Sequence, residues 1–368
     1  MLAAVSRVPL RRAFADLPAY VPGARAAVGA AAYKLSSNEN PFPPSAAVLS
    51  AVTDAAADLN RYPDMYASEL VAAIAAHVGV DAERVVVGNG SVGVLETVLM
   101  AACGPGEEVV HAWRSFEAYP IAIQIAGATG VPVPLRDDGG HDLAAMADAV
   151  TERTRVVLVC SPNNPTGTVV HEDEMREFLT RVPREVLVVL DEAYVEFVRD
   201  DAVVDGLALA REFKNVLVLR TFSKAYGLAG LRVGYAVARP RLVRGLRSAS
   251  TPFGVNALAQ AAALAALRES EEVAARCERI VRERTRVLGA LREQGWTVPE
   301  SHGNFYWLAL GRRAASFARE AAASGATVRA FDGEGVRVSV GEIEGNDAVL
   351  RLAADWAQYI EQLTPATL

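Results

Sequence analysis

Lysine is scarce in this sequence: of 37 basic residues only Lys34, Lys214 and Lys224 are lysines, and every other cation is arginine. A lysine kept where arginine otherwise serves points to a task that a guanidinium cannot perform, such as supplying an amine that gives up its proton. Cysteine is equally sparse. Cys103, Cys160 and Cys277 are far apart and form no CxxC pair, which argues against a disulfide framework and a thiolate zinc site and suits a reducing cytoplasm. The five histidines, His77, His111, His141, His171 and His302, show no metal-ligand spacing, so no metal is expected. There is no basic block: the net charge of −7 arises from 44 acids and 37 bases scattered along the chain, and nucleic acid is not an expected partner. Long apolar runs are missing too. The alanine-rich stretch 255–267 is broken by Asn256 and Gln260, too polar to cross a bilayer. The opening MLAAVSRVPLRRAF contains arginine and no acid but no serine-rich stretch, and reads as part of a mature N-terminal arm, residues 1–30, rather than a targeting peptide.

What is present is a chain of 368 residues, 51% hydrophobic, long enough for a large core and two domains. From about Glu83, short β-branched runs alternate with helical patterns: RVVVG (84–88), EEVVHA (107–112), VPVPL (131–135), RVVLVC (155–160), EVLVVLD (185–191), NVLVLR (215–220) and RVGYAVA (232–238). Most are apolar on both faces, which predicts a mostly parallel, seven-stranded α/β sheet covered by helices on both sides. Helices are expected over 92–103, 142–153 and 171–181. Beyond Val255 a long Ala/Arg/Glu pattern runs to about Gln294 and predicts a helix leading out of the sheet. NFYWLAL (304–310), ATVRAF (326–331) and GVRVSVG (335–341) then read as short strands, with helices at 314–323 and 346–363. The expected division is a large domain over 46–261 and a smaller α+β domain built from 31–45 and 262–368.

In an open α/β sheet the ligand lies beyond the carboxyl ends of the strands, so the residues that follow each strand carry the chemistry. After the first comes Gly88-Asn89-Gly90-Ser91; glycines and free N–H groups at a helix start suit a phosphate, although Ser91 serves equally well as an ordinary N-cap. After the fourth comes the rigid turn Ser161-Pro162-Asn163-Asn164-Pro165-Thr166-Gly167, and after the fifth Asp191-Glu192-Ala193-Tyr194, where Asp191 is either a ligand or a helix cap. The sixth leads into Thr221-Phe222-Ser223-Lys224-Ala225-Tyr226-Gly227-Leu228-Ala229-Gly230-Leu231-Arg232. Each taken alone suits a structural role; all four fall at one sheet edge.

SPNNPTG, DEAY and TFSKAYGLAGLRVGY match in order and spacing the signature of fold-type I aminotransferases dependent on pyridoxal 5′-phosphate (PLP). KLSSNENPFPP (34–44), NRYPD (60–64) and GVRVSVG narrow the resemblance to the histidinol-phosphate aminotransferase subgroup. GNGSVGVLE, HAWRSFEAYPI (111–121) and RAFDGEGVRVSVGE (329–342) are most similar to actinobacterial aromatic amino acid aminotransferases.

The resemblance implies PLP as cofactor and gives each residue a role. Lys224 is the lysine that holds the cofactor as a Schiff base and then moves the proton. Asp191 pairs with the pyridine nitrogen, while Tyr194 and Asn164 bond the phenolic oxygen. Ser223, Arg232 and the backbone at Ser91 and Val92 take the phosphate; Val92 departs from the acidic residue common in the family, which leaves only its backbone to contribute. Phe116 stacks on the ring or is a core phenylalanine. Tyr62 reaches the phosphate of a neighbouring subunit, which implies a homodimer. Arg337 clamps the substrate α-carboxylate, although strand alternation alone would also be met by a solvent-facing arginine. Tyr20, Asn38 and Arg329 line the side-chain pocket, and Asn164 contacts the substrate as well as the cofactor.

The expected reaction is ping-pong transamination of Phe, Tyr or Trp with 2-oxoglutarate, giving the aromatic 2-oxo acid and glutamate. Histidinol-phosphate transamination is the alternative, and an arginine at 329 suits either a phosphate or a distal carboxylate. A non-catalytic PLP-binding regulator would carry a DNA-binding module ahead of this region, where the sequence has a short arm. A related decarboxylase would share much of the cofactor shell.

Overall fold

The computed structural model describes Leu17, Gly23 and residues 33–362. Twelve strands follow in chain order: β1 (Tyr33–Lys34), β2 (Val85–Gly88), β3 (Glu108–Trp113), β4 (Thr129–Pro134), β5 (Thr154–Cys160), β6 (Leu187–Asp191), β7 (Val216–Thr221), β8 (Gly234–Val237), β9 (Phe305–Ala309), β10 (Ala326–Thr327), β11 (Arg329–Phe331) and β12 (Gly335–Ser339). Seven form one sheet in the order β2-β8-β7-β6-β5-β3-β4. Every pair in it is parallel apart from those of β8, which is antiparallel to both β2 and β7.

The apolar runs become central strands because both of their faces are buried. Val157 and Val159 of β5, Val188 and Leu190 of β6, and Val216 and Val218 of β7 join one core. The alternate residues Val156 and Leu158, Leu187 and Val189, and Leu217 and Leu219 join a second core on the opposite face. This is the two-residue period of a sheet covered on both sides by helices. β4 contains Pro132 and Pro134 and lies at the sheet edge, where the missing N–H groups leave no inner ladder broken.

The later strands form a separate sheet, β11-β12-β9, and β10 pairs in parallel with β1. Their core contains Phe305, Tyr306, Leu308, Phe317, Val336, Val338 and Trp356. The run ATVRAF thus divides between two sheets, with Val328 between them.

Two helical expectations need correction. The helix expected over 142–153 is only Leu143–Asp148, N-capped by Asp142. Its continuation is replaced by long-range polar contacts to the buried carboxylate of Glu108, from Thr151 Oγ1 at 2.5 Å and Arg153 Nε at 2.9 Å. The single helix expected over 255–294 is two, Ala257–Arg268 and Ser270–Glu293, separated by Glu269 with non-helical φ −102°, ψ 34°. Ser45 hydrogen-bonds the Glu269 carboxylate at this joint. Among the described residues no helix is long and apolar enough to cross a membrane.

Candidate active site

The carboxyl ends of β2, β5, β6 and β7 meet β11 and β12 around one cavity. Its lining includes Ser91, Val92, Phe116, Asn164, Asp191, Tyr194, Ser223, Lys224, Arg232, Arg329 and Arg337, so eleven of the residues singled out in the sequence are brought together.

At one end is a cradle suited to an anion. The chain leaves β2 and turns at Gly90, with φ +73°, into the helix Gly90–Ala102, so the first turn of that helix, with Ser91 and Val92 in the cavity lining, brings its N–H groups and the positive end of the helix dipole to the cavity. Arg232 lies beside this turn and donates from Nη1 to Ser223 Oγ at 3.2 Å and to the Ala229 carbonyl at 3.1 Å. A Cβ on Gly90 would collide with the Arg232 guanidinium. Glycine therefore meets both the backbone angle and the close approach.

In the middle of the cavity the ionisable groups are strongly perturbed. Asp191 is buried at the tip of β6, and burial raises its carboxyl to about 6 despite a hydrogen bond from Tyr119. Tyr119 Oη donates to Oδ2 at 2.7 Å. Oδ1 is buried with no hydrogen-bond partner among the described residues. Burial also holds the Tyr119 hydroxyl well above its usual range, so it stays a donor. Lys224 donates from Nζ to the Ser37 carbonyl at 3.1 Å. Burial first, and the Arg337 guanidinium second, lower its ammonium to about 7, the behaviour expected of an amine removed from water beside another cation. Tyr194 accepts from Asn38 Nδ2 at 3.1 Å, and its ring centroid is 5.7 Å from Lys224 Nζ.

Opposite this group lies Arg337. The sequence alternation on β12 separated it from Val336 and Val338, yet all five residues of the strand are buried. It donates from Nη1 to Asn164 Oδ1 at 2.7 Å and from Nη2 to the Ser36 carbonyl at 2.8 Å. Asn163, by contrast, is a satisfied turn residue: it bonds Ser115, Thr166 and the Arg114 carbonyl. Arg329 Nη2 donates to both carboxylate oxygens of Glu117, at 2.9 and 2.8 Å.

Three residues fall outside this cavity lining or cannot be placed in it. Asn38 is fully buried behind the wall, where its amide bonds Tyr194 and Ser339. Tyr62 is 83% exposed and stacks on Phe253, with ring centroids 4.7 Å apart. Tyr20 lies outside the described residues. Sequence reading missed Tyr119, Glu117, Ser36 and Ser37. Tyr119 and Glu117 stand in the quoted run HAWRSFEAYPI, but nothing local marks their partners, which lie 72 and 212 residues away.

The donor set suits PLP: a cradle for its phosphate, a buried carboxylate with a free oxygen for its ring nitrogen, the Phe116 ring for its face, and a low-pKa lysine for its aldehyde. The family model for class I and II aminotransferases matches residues 31–356. An aromatic amino acid aminotransferase of Streptomyces avermitilis is 56% identical, covering 93% of this chain and 96% of its own. One from Streptomyces coelicolor is 55% identical, covering 95% and 98%. Among solved structures, histidinol-phosphate aminotransferase from Sinorhizobium meliloti in complex with PLP superposes with TM-score 0.84 at 28% identity, over 99% of this chain and 100% of its own. A putative histidinol-phosphate aminotransferase from Erwinia carotovora gives 0.83 at 26%, over 89% and 96%. The chain belongs to the class I and II aminotransferases, a family that works with PLP.

Proposed function

We propose that the chain moves the amino group of phenylalanine, tyrosine or tryptophan to 2-oxoglutarate in two half-reactions on one PLP. The observation that carries this choice is the 55–56% identity, along more than nine-tenths of each chain, to relatives named for aromatic amino acids. The solved structures named for histidinol phosphate favour the second reading, at 26–28% identity.

When bound, PLP supplies an electrophilic carbon for the amino group and a ring that withdraws electrons from the substrate Cα. The chain supplies the rest. The Ser91 and Val92 N–H groups, Ser223 and Arg232 would bind the phosphate, and Asp191 Oδ1 would accept from the ring nitrogen, with Tyr119 fixing the other oxygen. Phe116 would pack on the ring face. Tyr194, oriented by Asn38, would donate to the phenolic oxygen beside Asn164. Arg337 is oriented by Asn164 and Ser36 toward the α-carboxylate that amino and oxo acid share. Lys224 Nζ is the group that would hold the cofactor covalently at rest. Burial and the Arg337 guanidinium lower its ammonium to about 7 in the cofactor-free chain, so the amine, once released from the cofactor, would be able to take the Cα proton and return it at neutral pH.

Tyr62 is proposed to complete the phosphate cradle of a second copy of this chain. Its exposure, and that of nearby Met65 and Tyr66, supports burial against such a partner. The reading also divides the chain into an arm (1–30), a large PLP-binding domain (46–261) and a small domain (31–45 and 262–368). The pairing of Tyr33–Lys34 with Ala326–Thr327 supports the last assignment. A cytoplasmic enzyme is proposed, in keeping with three free cysteines.

The test is a half-reaction panel in which Phe, Tyr, Trp, Glu and histidinol phosphate are each mixed with holoenzyme while the cofactor's visible absorbance is followed. The aromatic acids and glutamate should discharge it. Histidinol phosphate reacting far faster than phenylalanine would overturn the substrate assignment.

A further inference from the structure

Arg329 and Arg337 stand directly opposite each other in the β11–β12 register, and both line the cavity. They are held by different chemistry. Arg337 donates to an amide oxygen and a backbone carbonyl, whereas Arg329 donates to both oxygens of the Glu117 carboxylate. Glu117 directly follows the cavity residue Phe116, on the loop between β3 and the helix Ala118–Ala126.

The proposed reaction puts two unlike side chains into one site in turn: an aromatic ring, and a chain ending in a second carboxylate. A buried guanidinium suits the second and opposes the first unless a counter-charge accompanies it. We propose that Glu117 determines this dual specificity. Its carboxylate stands in for the distal carboxylate of the dicarboxylate substrate while an aromatic side chain is bound, and yields Arg329 when a dicarboxylate enters. Exposure decides which partner moves. The Arg329 side chain is 9% exposed and Glu117 25%, so Glu117 can turn into water while Arg329 stays.

The loop does not depend on this pair for its position. Arg114 on the same loop bonds Glu334 of the same hairpin, with Nε–Oε2 at 2.7 Å, and its guanidinium packs on Trp113 and Phe331. Replacing Glu117 therefore leaves a second tie of reversed polarity.

The inference rests on the two-substrate reading above, and its test uses unreactive ligands. Glutarate carries two carboxylates, and 3-phenylpropionate carries one with an aromatic ring. Their dissociation constants are measured by calorimetry on wild-type, Glu117→Gln and Glu117→Asp holoenzymes. Glu117→Gln should bind glutarate roughly tenfold tighter, in the range of coupling between close charges at a desolvated site, and 3-phenylpropionate no tighter. Glu117→Asp should keep the wild-type ratio of the two. A Gln variant whose ratio stays within about threefold of wild type overturns the proposal; general loosening of the site, which lowers both affinities together, gives that result. An Asp variant that shifts as far as Gln overturns it as well. Histidinol phosphate winning the donor panel would sink the substrate reading alone, because the ligand ratio is read without any turnover.

Discussion

Tyr119→Phe isolates one hydrogen bond that determines how an otherwise buried carboxylate behaves. In the cofactor-free protein Asp191 titrates near 6, raised from 3.8 by burial and held from rising further first by the Tyr119 hydroxyl. A hydrogen bond to a charged group contributes ~1.5–3 kcal/mol, and one to a neutral group ~0.5–1.5 kcal/mol. Removing the hydroxyl therefore disfavours the ionised form by about 1 kcal/mol more than the neutral one, which corresponds to a rise of roughly one pKa unit. The sign for stability follows. A carboxyl whose folded pKa is raised binds its proton more tightly in the folded state, so its penalty is absent below about 4 and grows until pH passes the folded pKa near 6. In Tyr119→Phe that window should extend to about 7, with an added loss of ~1 kcal/mol above it and only the pH-independent loss of a neutral hydrogen bond below 4. Carbon-13 NMR of labelled aspartate follows the carboxyl, and urea unfolding at several pH values follows the stability. An Asp191 titration unchanged by the substitution would refute the argument that Tyr119 holds it down.

Four further outcomes test the site. Lys224→Ala should keep the fold and the phosphate cradle but lose nearly all turnover; transamination at the wild-type rate would remove the lysine from the reaction. Arg337→Met should lower kcat/KM for amino and oxo acids alike by roughly a hundredfold, the scale of a buried charge-assisted clamp. It should also raise the Lys224 titration of cofactor-free protein above 7, because the guanidinium helps to depress it; NMR titration of the lysine checks the sign. Gly90→Ala forces a side chain into a left-handed backbone, at a cost of about 1–2 kcal/mol, and into Arg232. PLP affinity measured by absorbance titration should fall, and an unchanged affinity would argue against the cradle. If Tyr62 acts across a dimer, mixing inactive Lys224→Ala with impaired Tyr62→Ala subunits should restore activity, because one site of each hybrid would carry both intact residues.

The central strands were legible because burial on both faces leaves continuous apolar runs, as in RVVLVC and EVLVVLD. Helix lengths were less so. Nothing in 142–153 announces that Thr151 and Arg153 turn back to Glu108, since their partner lies more than forty residues away. Lys224 stood out by rarity and Asp191 by its position at a strand end. Arg337 was the opposite case: alternation on β12 allowed a solvent-facing arginine, and only the packing of Asn164 and Ser36 against it makes that face an interior. Asn38, expected in the pocket wall, lies one layer behind it because its amide is taken by Tyr194 and Ser339. The hydroxyl on Asp191 and the carboxylate on Arg329 left no local trace, because side chains that meet only through tertiary packing need no fixed spacing in sequence.

The reversal of β8 has a geometric consequence. A parallel strand begins at the edge of the sheet where its neighbours begin; a reversed one begins where they finish. Gly234, the first residue of β8, pairs with Gly88 and with Thr221, the last residues of the strands on either side. The segment 88–92 is thereby drawn by sheet register to the same point as both ends of a connection more than 120 residues later, 221–224 and 232–234. Had β8 run parallel, Arg232 would enter from the far rim, roughly 13 Å away over four residues of strand. One change of strand direction thus does the assembling.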